Sequence, residues 1–305
     1  MYNSYTKYLK QRFGGRRMQK ISVNGGFSCP NRDGRLGTGG CTFCNNQTFV
    51  PDYCVSDKSI SQQVEEGIDF FKHKYTQQGY LVYFQSFTNT YAPFERLKTL
   101  YEEALSYEGV EGIVIGTRPD CVSDELLDYL EQKSKQCFVM IEYGIESVYD
   151  STLQLINRGH DFQTAVDTIE RTAGRGIDVG VHVILGLPCE TKEMILHTAE
   201  EISKLPVTVV KLHQLQLIRG TKMEQQYLLH PEWFHFFDVE EYVDLVVDFL
   251  ERLNPEIYVE RFVSSSPKEF LLLPQWGLKN FEFTAKVEKR LKERNTYQGI
   301  LFAGL

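Results

Sequence analysis

Three cysteines lie in one short glycine-rich segment, residues 29–44, which we call the cysteine loop. It constrains the fold more than any other part of the chain. Eleven residues separate Cys29 from Cys41, and two separate Cys41 from Cys44. Glycines are frequent and apolar residues rare in this loop, so it cannot build a core of its own and is suited to wrap around a bound group. Thiolates at the Cys-x-x-Cys spacing bind soft metals, chiefly zinc or the iron of iron–sulfur clusters.

The cysteine loop provides three metal ligands, whereas structural zinc sites and closed iron–sulfur clusters use four. No histidine precedes His73 in the chain. The other cysteines form no second Cys-x-x-Cys pair; they are Cys54, Cys121, Cys137 and Cys189. Three ligands without an evident fourth predict a cluster with one open iron, to which a cofactor or a substrate binds.

Apolar runs alternate with amphipathic segments from the cysteine loop to about residue 218. The apolar runs are rich in Val, Ile and Leu, which is typical of strands that are covered on both faces. Six strands are predicted, at residues 21–23, 80–84, 112–116, 138–141, 179–185 and 207–212. This alternation predicts an α/β protein with a parallel sheet, either doubly wound or barrel-like. In both arrangements ligands bind at the carboxyl ends of the strands.

Polar residues follow most of the predicted strands directly. The polar segments are residues 85–91, 117–120, 142–147, 186–191 and 213–216. Turns are commonly polar, which explains one or two such segments. Five of them indicate a ligand site at one edge of the sheet.

The pattern changes beyond residue 220. Helices are predicted over residues 221–252 and 279–294, with a strand at residues 257–263 between them. We find no internal repeat and no low-complexity linker in the 305 residues. Residues 221–305 are therefore predicted to be a C-terminal α+β extension that packs on the barrel.

Charge is unevenly distributed along the chain. Residues 1–50 hold eight Lys and Arg residues against one acidic residue, a net charge of +7, so the other 255 residues carry −15 of the total of −8. We predict a basic N-terminal arm at residues 1–20, ahead of the barrel at residues 21–220. Such an arm is either a solvated surface segment or a segment that contacts phosphate groups.

The chain has no evident targeting segment. Its first residues lack the apolar stretch of a signal peptide, and no apolar run reaches the roughly 18 residues that a membrane span needs. We therefore expect a cytoplasmic protein with no membrane partner. In that reducing compartment, the seven cysteines are free thiols or metal ligands rather than disulfides.

The cysteine loop follows the first predicted strand and ends in Cys41-Thr42-Phe43-Cys44, which resembles the cluster loop of the radical S-adenosylmethionine (SAM) superfamily. Its long first spacing resembles the branch that contains the catalytic subunit of the elongator complex, and most of all its short bacterial relatives of the YhcC/YtqA type. The resemblance implies a partial (β/α)6 TIM-like barrel. It also implies a 4Fe-4S cluster and S-adenosyl-L-methionine as cofactors.

Roles for individual residues follow from the resemblance. It implies that Cys29, Cys41 and Cys44 bind three irons, and that SAM chelates the fourth. The cofactor-binding residues that it implies are Phe43 near the adenine, Thr88, Asn89 and Thr90 at the methionine amino group, Glu146 with Ser147 at the ribose, Arg158 at the methionine carboxylate, and His182, Gly186 and Leu187 beside the cofactor. Taken alone, Glu146 could instead cap a helix, Arg158 could lie on the surface, and His182 could be a core histidine.

The sequence departs from the elongator pattern in two places. Gly116 stands where that branch usually carries a glutamate before Thr-Arg-Pro-Asp, which puts one contact to a cofactor hydroxyl in doubt. The chain also carries no acetyltransferase domain, so the acetyl-transfer half of the elongator reaction is not expected.

The reaction that the resemblance implies begins with one-electron reduction of SAM by the cluster. This gives methionine and a 5′-deoxyadenosyl radical, which takes a hydrogen atom from the substrate. An electron donor such as flavodoxin or ferredoxin is the implied partner. The candidates for orienting the substrate or moving a proton, which the sequence does not rank, are Tyr91, Arg118, Asp120, Glu142, His213 and Gln216.

We favour tRNA as the substrate, with the radical acting on a substituent of an anticodon uridine. The elongator-like spacing and the basic arm support this hypothesis, and a basic helix with Lys286, Lys289, Arg290, Lys292 and Arg294 offers a second face for phosphates. A small molecule such as a porphyrin precursor is an alternative with the same chemistry. A non-enzymatic metal-binding or redox-sensing module is an alternative of another class.

Overall fold

Strands and helices alternate along most of the computed structural model, which describes residues 1–45, 51–72 and 78–304. The strands are β1 Arg17–Val23, β2 Gln78–Phe84, β3 Val110–Thr117, β4 Phe138–Glu146, β5 Asp178–Leu185, β6 Val209–Gln214, β7 Leu217–Ile218, β8 Tyr258–Val259 and β9 Leu271–Leu273. The helices are α1 Tyr5–Arg12, α2 Ile60–Lys72, α3 Phe94–Ser106, α4 Asp124–Ser134, α5 Asp150–Leu155, α6 Phe162–Thr172, α7 Lys192–Ser203, α8 Lys222–Leu229, α9 Val239–Arg252 and α10 Asn280–Glu293.

Seven of the strands form one parallel sheet in the order β1-β2-β3-β4-β5-β6-β8. Spatial order follows chain order from β1 to β6, whereas a doubly wound sheet reverses direction near its middle. The fold is therefore the partial TIM-like barrel, and the α/β class predicted from the sequence is confirmed. The sixfold repeat is extended by a seventh strand, β8, which the C-terminal extension contributes.

Apolar clusters cover both faces of the sheet. In β3, Ile113 and Ile115 belong to the large cluster between the sheet and its helices, whereas Val114 belongs to a smaller cluster with Tyr5 and Leu9 of α1. Neighbouring residues of a strand point to opposite faces. Helix α1 therefore covers the inner face of the curled sheet, and the remaining polar positions at the carboxyl ends of the strands are left for the site.

The predicted basic arm at residues 1–20 is wrong as a separate segment. Tyr5 and Leu9 form a buried face of α1 at the i, i+4 spacing, and residues 17–20 belong to β1. The Nζ of Lys20 contacts Glu142 Oε1 at 2.5 Å, deep in the barrel. The charge count missed this because it ignored the apolar residues between the basic ones.

The extension packs on the barrel but does not stand apart from the sheet. Its strand is shorter than residues 257–263, although the ladder continues beyond Tyr258–Val259: the Leu212 amide donates to the Arg261 carbonyl at 3.0 Å. Strands β7 and β9 form a separate antiparallel pair. In the described ranges, no helix is long and apolar enough to cross a membrane.

Candidate active site

The cysteine loop and the carboxyl ends of the strands enclose one cavity. All three cysteines of the loop line it. Other lining residues come from the loop itself, the ends of β2 to β6, the turn after α5 and the segment after β8; they include Phe43, Thr88, Arg118, Glu142, Glu146, Arg158, His182, His213, Gln216 and Arg261. Four of the five polar segments predicted after strands contribute to this lining, whereas residues 186–191 do not.

Backbone and side-chain hydrogen bonds hold the cysteine loop against the segment after α5. The Nδ2 of Asn31 donates to the Asn157 carbonyl at 2.5 Å, and the Nδ2 of Asn157 donates to the Gly40 carbonyl at 2.9 Å. The Thr42 amide donates to the Ile156 carbonyl at 2.9 Å. A loop that cannot pack a core is thus fixed by hydrogen bonds to a neighbouring turn.

Arg158 is the buried cation nearest to the thiols. Its Nη1 lies 3.5 Å from Cys41 Sγ, its Nη2 donates to the Gly144 carbonyl at 2.5 Å, and Glu146 Oε1 lies 3.6 Å from Nη2. Burial alone would lower the pKa of Arg158, but the Cys41 thiolate and the Glu146 carboxylate outweigh it and raise this pKa. The guanidinium therefore stays charged beside Cys41.

The residues present fit a cluster with a bound amino acid group. Three thiols are the donor set that iron–sulfur clusters use, and Arg158 Nε is buried without a hydrogen-bond partner among the described residues. A Cβ at Gly144 would lie 2.7 Å from both Arg158 Nη2 and Glu146 Oε1, so only glycine leaves room for this pair. In the described ranges, no three Cys, His, Asp or Glu side chains are arranged around a single metal ion.

Five of the predicted cofactor residues line the cavity, and five do not. Those that line it are Phe43, Thr88, Glu146, Arg158 and His182. Asn89 instead joins two strand ends, since its Nδ2 donates to the carbonyls of Phe84 at 3.0 Å and Gly116 at 2.7 Å. Thr90 Oγ1 lies 2.6 Å from Thr117 Oγ1. Asn89 and Thr90 thus hold the strand ends together next to the cavity and do not line it.

The other three predicted cofactor residues outside the lining are Ser147, Gly186 and Leu187, and they support the structure next to the cavity. Ser147 Oγ donates to Glu190 Oε1 at 2.5 Å, which ties the end of β4 to the segment after β5. Gly186 adopts a φ of +89°, and a Cβ there would lie 3.0 Å from the Phe237 ring. Leu187 is buried in an apolar cluster with residues of α5 and α8. Their position indicates a structural role, while any role in binding the cofactor stays a prediction.

Glu190→Gln is expected to stabilise the protein at alkaline pH. Burial raises the pKa of Glu190 from 4.5 to about 7, so the folded state is penalised as the pH rises from 4.5 and fully penalised above 7. Gln keeps the acceptor for Ser147 without the charge. We expect the variant to gain about 2 kcal/mol in free energy of unfolding at pH 8 and almost nothing at pH 4.5.

Urea unfolding at the two pH values measures this difference, with the exposed Glu108→Gln as the control that changes neither value. If Glu190→Gln gains more free energy of unfolding at pH 4.5 than at pH 8, the raised pKa of Glu190 is contradicted.

Four of the six candidates for substrate contact line the cavity: Arg118, Glu142, His213 and Gln216. Tyr91 and Asp120 do not, and any role of these two residues in substrate contact stays a prediction. Both line a separate cleft on the outer side of the cysteine loop. Asp120 reaches the cavity only indirectly, through its ion pair with Arg118 at 2.8 Å.

Sequence reasoning missed a network of buried charges behind the cavity. Glu142 lies at its centre: its carboxylate contacts Lys20 at 2.5 Å, Lys211 at 3.1 Å and His182 Nε2 at 2.7 Å. Glu260 contacts the same two lysines at 2.7 and 3.3 Å. One signal was present, because Lys211 lies inside a strand that reads as covered on both faces, where a charge needs a partner. Lys20 precedes the strand predicted at residues 21–23 and gave no such signal.

The network also sets the protonation of the cavity wall. Burial alone would raise the pKa of Glu142, but the two lysines outweigh it and hold this pKa well below its usual range. Burial and the Lys211 ammonium lower the pKa of His182 to about 4. Burial and the Arg261 guanidinium hold the pKa of His213 well below its usual range. Both imidazoles are therefore neutral at pH 7.

Comparisons with known proteins agree with this geometry. A model of the radical SAM superfamily matches residues 31–202, and a model of the Radical_SAM C-terminal domain matches residues 207–293. The chain is 36% identical to YtqA of Bacillus subtilis (strain 168) over 304 residues, covering 100% of this chain and 94% of that protein. It is 27% identical to a tRNA uridine(34) acetyltransferase of Methanocaldococcus infernus over 118 residues, covering 38% of this chain and 22% of that protein.

A solved structure shares the fold. The archaeal Methanocaldococcus infernus Elp3 with an N-terminal deletion has a TM-score of 0.69 and 16% identity, covering 93% of this chain and 64% of that chain. The chain belongs to the radical SAM superfamily, whose members use a 4Fe-4S cluster and SAM. The predicted family, branch and cofactors are thereby confirmed.

Proposed function

We propose that this radical SAM protein modifies a substituent on a tRNA base, with an anticodon uridine as the preferred target. The main support is the cavity, where three thiols and a wall of buried polar side chains meet. A further support is the partial likeness to a protein named tRNA uridine(34) acetyltransferase. Since that likeness covers 38% of this chain, the base and the product are part of the proposal.

In this proposal the side chains of the cavity hold the cofactors. Cys29, Cys41 and Cys44 bind the cluster, and Arg158 binds the SAM carboxylate through its free Nε and its charge. Glu146 lies beside Arg158 and accepts a hydrogen bond from a ribose hydroxyl. When bound, the cluster and SAM supply one-electron chemistry that removes a hydrogen atom from the substrate. The chain itself contributes binding, orientation and exclusion of water.

Several basic side chains that the sequence suggested for phosphate contacts have acidic partners in the structure. Lys20 is buried, and Arg16 forms a bidentate pair with Glu111. On α10, basic side chains are paired with acidic residues of α9; these pairs are Lys286–Glu240, Arg290–Glu240, Arg290–Asp244, Arg294–Asp244 and Arg294–Asp248. Lys20, Arg16 and these side chains of α10 already have acidic partners, which weakens the case for phosphate contacts at either surface.

Two exposed cations beside the cysteine loop are better placed. Lys222, at the start of α8, lies against the loop, since a Cβ at Gly39 would collide with its Nζ. Within the described ranges Lys222 has no ion pair or hydrogen bond from its side chain. Arg35 lies in the loop itself, over the ring of Tyr91 at 5.6 Å. We propose that these two side chains contact tRNA phosphates on the outer surface of the cysteine loop.

The double variant Arg35→Glu and Lys222→Glu is expected to weaken tRNA binding. Each lost phosphate contact reduces the slope of log K against log salt by about 1, so the slope should fall by about 2. Fluorescence anisotropy with labelled tRNA at several salt concentrations measures it. The matched control is Lys289→Glu with Lys292→Glu on the exposed face of α10. If the control pair changes the slope as much as the loop pair, the proposed phosphate contacts of Arg35 and Lys222 are wrong.

Comparison of tRNA nucleosides tests the substrate itself. Total tRNA from cells with and without the gene is digested and compared by mass spectrometry, with a strain that carries Cys41→Ala as a second negative. We expect one uridine derivative to be lost in both. If no nucleoside differs, the tRNA proposal fails, whereas membership of the superfamily is unaffected.

The remaining parts of the proposal concern the surroundings of the enzyme. One-electron chemistry requires a reductant, and we propose a small carrier such as flavodoxin or ferredoxin. We also propose a cytoplasmic location, where thiols stay reduced. All seven cysteines lie in the described residues and carry free thiols.

A further inference from the structure

Arg261, on the segment that follows β8, stands out among the charged residues of the cavity. Its guanidinium lies across the imidazole of His213, with Nη2 at 3.1 Å from Nδ1 and 3.3 Å from Nε2. Its Nε is buried without a hydrogen-bond partner in the described residues. In the same part of the chain, no Asp or Glu carboxylate pairs with it. The neutral imidazole of His213, on one side, is therefore the main neighbour of the Arg261 guanidinium.

Most other charged side chains around the cavity have carboxylate partners. Lys20 and Lys211 share the carboxylates of Glu142 and Glu260. Two arginines of the lining are paired as well; these pairs are Arg118–Asp120 at 2.8 Å and Arg158–Glu146 at 3.6 Å. Arg32 has no carboxylate partner but lies beside the cysteine sulfurs, with its Nη2 donating to the Cys44 carbonyl at 2.9 Å. Arg261 is thus a partly buried cation whose counter-charge the described residues do not provide.

The segment that carries Arg261 is held in place by hydrogen bonds that do not use its side chain. Gln214 and Ser264 form a reciprocal pair, with the Ser264 amide donating to Gln214 Oε1 at 2.7 Å and Gln214 Nε2 donating to the Ser264 carbonyl at 2.9 Å. Gln216 also donates to that carbonyl, at 3.3 Å, and accepts from Ser266 Oγ at 2.7 Å. Gln216 is therefore a positioning residue for this segment.

Keeping a guanidinium partly desolvated without a carboxylate is unfavourable. A protein can retain such an unfavourable cation where a bound ligand supplies the missing negative charge. A fixed, partly desolvated cation binds an anion more strongly than a cation in water does. Arg261 lies in the lining of the same cavity as the thiols.

We propose that Arg261 binds an anionic oxygen of the substrate, a phosphate or a carboxylate, on the β6–β8 side of the cavity. The inference rests on the proposed function in that it takes this cavity as the substrate site. In a tRNA substrate, the anion is either the phosphate of the nucleotide that enters the cavity or a carboxylate on its base. His213 supports the guanidinium from one face and leaves the other for the ligand.

Binding of small anions tests the assignment without tRNA and without turnover. Full-length protein with its cluster reconstituted is titrated anaerobically with inorganic phosphate and, separately, with sodium acetate, at constant ionic strength. The midpoint of thermal unfolding is followed, since a ligand that binds the folded state raises it. The variants are Arg261→Met and Arg261→Lys. Arg219→Met, which removes an exposed arginine on the surface after β7, is the matched control.

We expect at least one of the two anions to raise the midpoint of the wild type and of Arg219→Met, and neither to raise that of Arg261→Met. Arg261→Lys should need at least threefold more anion, because it loses the planar fork; this comparison also decides the question if Arg261→Met does not fold. If phosphate alone raises the midpoint, the anionic group of the substrate is a phosphate ester. If acetate raises the midpoint, that group is a carboxylate.

Three results would overturn the inference. The first is a wild type that responds to neither anion. The second is an Arg261→Met protein that responds as the wild type does. The third is a tenfold or larger loss of SAM affinity in Arg261→Met, measured by equilibrium dialysis, which would assign Arg261 to the cofactor carboxylate. None of these results depends on tRNA, so failure of the tRNA proposal is recognised separately, by the nucleoside comparison.

Discussion

Cys41→Ala is expected to abolish cluster assembly. Cys41 is the buried thiol of the loop, and it contacts both Arg158 Nη1 at 3.5 Å and Asn31 Nδ2 at 3.7 Å. Its loss leaves two thiols for a cluster that needs at least three from the chain. Anaerobic reconstitution should then give iron and sulfide at background level and no broad visible absorbance, whereas the wild type should bind about four of each.

Cys189→Ala is the matched control. Cys189 is exposed and lies after β5, outside the lining of the cavity. This variant should assemble a cluster as the wild type does. An intact cluster in Cys41→Ala, or its loss in Cys189→Ala, would contradict the assignment of the cysteine loop.

Glu142→Gln is expected to lower the free energy of unfolding by about 3–5 kcal/mol, because it leaves two buried ammonium groups with one carboxylate. Glu142 is 2% exposed, and Glu260 alone would have to neutralise both lysines. The effect is among the largest for a single substitution. Urea unfolding of the apoprotein at pH 7 measures it.

The control is Glu111→Gln, which removes the exposed partner of Arg16 and should cost less than about 1 kcal/mol. Glu142→Gln combined with Lys211→Met should recover part of the loss, because the surplus charge is then gone. If Glu142→Gln unfolds at the same urea concentration as the wild type, the network does not stabilise the barrel.

The pH dependence of the free energy of unfolding is a second test of the same network of buried charges. The pKa of Glu142 is lowered in the folded state, so its contribution is present above the pKa of the unfolded chain and is lost as the pH falls through the folded pKa. The pKa of His182 falls from 6.5 to about 4, so stability declines further between these two values. Both proteins keep His182, so the wild type should lose more stability than Glu142→Gln as the pH falls below 4.5, where the Glu142 contribution is lost.

The sequence predicted the sheet and the cysteine loop because both depend on local patterns. Runs such as residues 179–185 are apolar except for His182, and this indicates a strand with both faces covered. The spacing of three cysteines indicates a metal site without any knowledge of the fold. Side chains at strand ends also converge by topology alone, which explains why Arg118, Glu142 and His213 were found together.

Contacts between distant parts of the chain were beyond sequence reasoning. Lys20 looked like part of a basic arm because its partners, Glu142 and Glu260, are 122 and 240 residues away. Arg261 was overlooked because it lies in the C-terminal extension, in a segment predicted only as a strand, and only the pairing of that segment with β6 brings it to the cavity. Tyr91 and Asp120 follow strands as expected, but the cysteine loop separates them from the cavity. In each case the arrangement depends on the tertiary packing.

The release of 5′-deoxyadenosine from SAM tests most directly whether this cavity performs radical chemistry. Full-length protein with a reconstituted cluster is incubated anaerobically with SAM and dithionite, and the products are measured by mass spectrometry, with Cys41→Ala as the negative control. We expect 5′-deoxyadenosine and methionine in equal amounts from the wild type and neither from the variant. A wild type that binds zinc stoichiometrically, assembles no cluster and releases no 5′-deoxyadenosine would contradict the account.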